Sequence, residues 1–79
     1  MAKYESKHIV NKEILLKLGQ KIRALRKQQD LTLEELSEKA GINFKYLQKC
    51  EKGRSNPSIS ILYSISKGLG VALKCIIDV

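Results

Sequence analysis

In the stretch AGINFKYLQKCEKG, Ala40 to Gly53, the side chains with polar chemistry to offer on one face are Lys45, Gln48, Lys49 and Lys52. At about 100° per residue these four share one side of a helix, while Leu47 and Cys50, with Ile42 just before them, fall on the other. Ammonium and amide groups in that array donate hydrogen bonds and neutralise anions. Water around a solvated face is one partner for them and a polyanion is the other. Elsewhere the chemistry is sparse. His8 is the only histidine, in a mixed-charge N-terminal stretch, and the chain has no H-E-x-x-H spacing and no glycine-rich phosphate loop. Cys50 and Cys75 form no CxxC pair and sit among apolar neighbours, so both are expected as reduced core residues. The expectation is therefore of a non-enzyme with no metal set and no cofactor.

The chain has 79 residues, 43% hydrophobic and 29% charged, with one proline and five glycines. That composition is too apolar for disorder and long enough for one core, but too short for a second, ligand-sensing domain. The net charge of +7 and the pI near 9.6 give a field that attracts nucleic acid or an anionic membrane surface. No apolar run approaches the ~18 residues of a membrane span, so the expected location is cytoplasmic, with no membrane partner.

The elements that must position the basic face follow from periodicity and caps. Residues 1–10 lack a period and are expected as a flexible arm. Asn11 caps a first helix from Lys12 to about Gln29, whose inward residues are Leu15, Leu18, Ile22 and Leu25. Thr32 and Glu35 form a T-x-x-E capping box that opens a short second helix, Leu33 to Lys39, with Leu36 and Ala40 inward. Gly41 suits the positive φ that ends it, and Asn43 caps a third helix over 43–52. After the turn-rich loop Ser55 to Ser58, a fourth helix turns Ile59, Leu62, Ile65 and Leu69 inward and stops at Gly70; Gly68 costs it roughly 1 kcal/mol, which predicts fraying. In the tail VALKCIIDV, alternation puts Val71, Leu73, Cys75, Ile77 and Val79 on one face and favours a β-strand over a short fifth helix. A lone strand needs a partner edge, and a second copy of the chain supplies it. The expected class is thus all-α, a compact four-to-five-helix domain over 11–70, with residues 71–79 as a dimerisation tail acting through Leu73, Cys75, Ile77 and Val79.

Two short helices across Gly41, the second with an outward basic face, make a helix-turn-helix over about 32–52. Through LGQKIRALRKQQDLTLEELSEKAGI, CEKGRSNPS and KGLGV, roughly Leu18 to Val71, the chain resembles the lambda-repressor-like, Xre/Cro-type regulators. The resemblance implies an ion pair between Arg26 and Glu51. It also implies base contacts from Phe44, Lys45, Gln48 and Lys49, with Tyr46 near the groove wall. Lysine donates to guanine, glutamine bridges adenine, and phenylalanine rests on a thymine methyl. Phosphate contacts fall to Lys52, Arg54, Ser55, Asn56 and the start of the second helix at Thr32; Asn43 has a competing role as a cap. Two positions depart from the family pattern. Leu33 stands where a glutamine usually steadies the recognition helix, and CEKG stands for the usual IERG.

What this resemblance implies about function is sequence-specific binding to double-stranded DNA, as a homodimeric transcriptional repressor on an inverted-repeat operator. The apolar tail resembles antitoxin-type repressors, which also bind a toxin protein, and the size suits controller proteins of restriction-modification operons and small phage repressors. A protein-interaction adaptor with the same fold is the remaining alternative.

Overall fold

Five helices follow one another through residues 11–79, the part of the chain that the computed structural model describes. The expected arm 1–10, with His8, lies outside the described residues. The helices are α1 (Lys12–Gln28), α2 (Leu33–Ala40), α3 (Phe44–Glu51), α4 (Ile59–Leu69) and α5 (Leu73–Ile77). The fold is all-α, as the sequence predicts.

Local chemistry explains four of the five starts. Asn11 Oδ1 accepts from the Ile14 N–H at 3.3 Å and Asn43 Oδ1 from the Tyr46 N–H at 3.0 Å. Ser58 Oγ accepts from the Ile61 N–H at 3.1 Å. At α2 the box is reciprocal: Thr32 Oγ1 accepts from the Glu35 N–H at 3.0 Å, and the Thr32 N–H donates to Glu35 Oε1 at 2.8 Å. Gly41 ends α2 in the left-handed region at φ 69°, which redirects the chain into α3 within three residues.

One core joins all five helices through Ile22, Leu36, Leu47, Leu62, Ile65, Leu69 and Ile76. Leu18 and Leu25 of α1 are half-buried against it. Ile59, expected inward, is instead 61% exposed. It is the first residue of α4, one turn beyond the end of the packed stripe. Gly68 also has a different meaning from fraying. A Cβ there would lie 3.0 to 3.1 Å from the N, Cα and Cβ of Ala40, so the missing side chain lets α4 rest directly on the last turn of α2.

The tail corrects the largest expectation. Residues 73–77 form a helix, not a strand, with the Cys75 N–H donating to the Ala72 carbonyl at 2.9 Å. Ile76, which alternation sets on the face opposite Leu73, Cys75 and Ile77, is fully buried in the core, while Leu73 is half-buried beside it. Helical spacing of three puts Leu73 and Ile76 on one side, and the open end of the core takes both. A helix here offers no strand edge for pairing across a dimer, and the core continues past residue 70. Cys75 is exposed rather than buried; Cys50 is buried.

Candidate nucleic-acid interface

Arg26, in the last turn of α1, reaches across to Glu51, the last residue of α3. Its Nε donates to Glu51 Oε2 at 2.7 Å, Nη2 donates to Oε1 at 2.9 Å, and Nη1 donates to the Leu31 carbonyl at 2.8 Å. The two side chains are 9% and 3% exposed. The hydrogen bond to Glu51 holds the guanidinium above its ordinary value against the opposing effect of burial. One fork thus ties the C-terminal end of α3 to α1 and to the segment leading into α2. It also turns the only carboxylate of α3 inward, so the outward charge of that helix is wholly positive.

The rest of α3 divides cleanly. Leu47, Cys50 and Glu51 are buried, while Lys45, Lys49 and Lys52 are exposed. On an ideal helix these three lysines lie within about 60° of arc opposite Leu47, with Phe44 and Gln48 on one shoulder and Tyr46 on the other. Phe44, Tyr46 and Gln48 are half-buried, as that position requires. Lys45, Lys49, Lys52 and Arg54 make no ion pair among the described residues. Behind the face, burial pushes the Cys50 thiol up, outweighing hydrogen bonds to Ser55 and Tyr46, so it acts as a small apolar filler.

Around this face the expected phosphate contacts take unequal positions. Asn43 spends Oδ1 on its cap, which leaves its Nδ2 hydrogens free, so capping and contact do not compete. Thr32 offers less than a bare helix start would. Its N–H already serves Glu35, the Glu35 N–H is taken by its hydroxyl oxygen, and Glu34 and Glu35 put two carboxylates in the first turn, which oppose an approaching anion. Arg54, Ser55 and Asn56 line an open groove with Lys12, Leu15 and Leu16 of α1. Lys12 is a basic residue that no spacing in the sequence connects to the site, since only the packing of the 53–56 loop on α1 brings it there.

A brace helix and an exposed basic helix across a glycine turn, locked by a buried fork inside a five-helix core, define a helix-turn-helix DNA-binding domain. The chain belongs to the helix-turn-helix family HTH_3, which matches residues 22–74, and the relatives found are transcriptional regulators and repressors. It is 40% identical over 60 residues to the immunity repressor protein of Bacillus phage phi105, covering 76% of this chain and 42% of that protein. It is 39% identical over 62 residues to the HTH-type transcriptional regulator SinR of Bacillus subtilis, covering 77% of this chain and 56% of SinR. The chain thus spans about half the length of these two relatives. Among solved structures, the restriction-modification controller protein C.AhdI from Aeromonas hydrophila superposes with a TM-score of 0.77 at 27% identity, covering 78% of this chain and 94% of that one. No helix among the described residues is long and apolar enough to cross a membrane.

Proposed function

We propose that the chain is a cytoplasmic, sequence-specific transcriptional repressor that binds an inverted-repeat operator as a two-fold dimer, with α3 in the major groove of each half-site. The observation that carries this reading is the exposed basic face of α3, without an ion pair among the described residues and held by the Arg26–Glu51 fork. A helix is narrow enough for the ~12 Å groove, and lysines on the outward face of α3 reach base edges while Lys52, just past its C-terminal end, meets the backbone. Lys45, Gln48 and Lys49 read bases, flanked by Phe44 and Tyr46. Lys52, Arg54, Ser55 and Asn56 hold phosphates, assisted by the Asn43 amide and the Thr32 hydroxyl. For the dimer, the reading uses the apolar residues left outside at the chain end. Ile77 and Val79 are each 43% exposed, Cys75 is exposed beside Ile77, Leu73 is half-buried, and Val79 shares a surface with Ile14 of α1.

Lys49 and Lys52 separate the two kinds of contact. Binding of each alanine variant is measured on a preferred duplex and on a scrambled one over a range of salt. Lys49→Ala is expected to lower the preference between the two duplexes by the ~1–3 kcal/mol of a good base contact. Lys52→Ala is expected to weaken both alike and to reduce the salt slope by about one unit. Equal, sequence-blind losses from both variants would contradict the assignment.

A further inference from the structure

Phe44 is the single phenylalanine of the chain and the first residue of α3. Its neighbours in the helix-turn-helix give their apolar side chains to the interior: Leu33, at the start of α2, and Ile42, in the turn, both pack against the core. Phe44 is not among the residues that do so, and it is only half-buried. It stands on the same shoulder as Gln48, beside the exposed Lys45, Lys49 and Lys52, on the face that α3 turns to solvent. Docking α3 into a groove buries the remaining ring surface against a base edge. Among the major-groove base edges the C5-methyl of thymine is the one projecting apolar group; what it stands beside is mainly nitrogen and oxygen donors and acceptors. Against a polar edge, the ring removes water without supplying a hydrogen bond, which is unfavourable. Against a methyl, both surfaces leave water together.

Resting on the regulator reading above, we propose that Phe44 reads C5-methyl groups, so that the protein distinguishes a C5-methylated pyrimidine from an unmethylated one at one step of each half-site. Thymine and 5-methylcytosine carry that methyl at the same place in the groove. Cytosine methylation at this step therefore substitutes for thymine at the Phe44 contact.

The test starts from an operator enriched from a randomised duplex library. Each thymine is replaced in turn by deoxyuridine, which removes the methyl and nothing else. At one thymine per half-site, the wild-type Kd is expected to rise about fourfold, the loss that follows from exposing one buried methyl. The same replacement leaves the Kd of Phe44→Ala unchanged. With cytosine at that step, converting it to 5-methylcytosine tightens wild-type binding about fourfold and again leaves Phe44→Ala unaffected. A flat deoxyuridine scan on the wild-type chain overturns the proposal without recourse to any variant. An equal response in Phe44→Ala overturns it too. A clear operator with a flat scan leaves the regulator reading standing, whereas failure to enrich any motif removes both.

Discussion

Replacing Arg26 by methionine retains most of the buried aliphatic stem and removes the guanidinium. The Glu51 carboxylate, 3% exposed, then loses donors at 2.7 and 2.9 Å, and the Leu31 carbonyl loses its donor at 2.8 Å. Breaking one side of a buried pair is worth about 3–5 kcal/mol, because the stranded charge cannot return to water. A domain of 79 residues has about 4–12 kcal/mol of total stability, so this single change removes a large part of it. At about 4 °C or more per kcal/mol, the midpoint falls by at least about 12 °C. Converting both residues to methionine removes the charges together and is expected to recover most of the loss. Urea unfolding followed by circular dichroism, with the slope held common, measures all four corners of the cycle. An Arg26→Met protein within about 1 kcal/mol of wild type, or a double variant as unstable as the sum of the singles, would show that the fork is not a coupled buried pair.

Other consequences follow from particular contacts. Gly68→Ala raises helix propensity by roughly 1 kcal/mol yet is expected to lower the melting temperature, because the new methyl meets Ala40 at 3.0 to 3.1 Å and separating α4 from α2 costs about 1–3 kcal/mol. Ile76→Ala is expected to destabilise the fold by about 2–5 kcal/mol, whereas Ile77→Asp, on the exposed side of α5, leaves it folded and shifts sedimentation equilibrium towards monomer. An Ile77→Asp protein that remains dimeric contradicts the proposed dimer surface. Because the folded Cys50 thiol is pushed up, its contribution is complete below the ordinary thiol range and is lost as pH rises through it, where the unfolded chain ionises first. Unfolding free energies compared between wild type and Cys50→Ala from about pH 7 to about pH 10 are expected to converge, and a constant difference contradicts this.

What was legible in the sequence is what short-range chemistry determines. Thr32 with Glu35, Asn43 and Ser58 cap their helices within three residues, so their patterns mark α2, α3 and α4 without tertiary information. The division of α3 into Leu47 and Cys50 against three lysines is equally local, since one helical period sets it. Alternation over nine tail residues, by contrast, fitted a strand as well as any pattern of that length can. Ile76 became helical and buried because the end of the core needed closing, which no local period reports. Gly68 read as a weak point only while its neighbour Ala40 was unknown. The fork between Arg26 and Glu51 joins residues 25 apart, and only the family resemblance connected them. Lys12 reaches the basic edge through packing of a loop on α1, and the start of α2 is poorer in anion-binding groups than its dipole suggests because Glu34 and Glu35 stand on it.

Whether α3 reads duplex DNA in two symmetrically related copies is decided by selection from a randomised duplex library, run in parallel with wild type and Lys49→Ala. The expected result is an inverted repeat whose half-site centres lie about one helical turn, ~34 Å, apart, and a change of preference at the same position in both halves for Lys49→Ala. Recovery of no motif by the wild type, or an identical motif from both proteins, would contradict it.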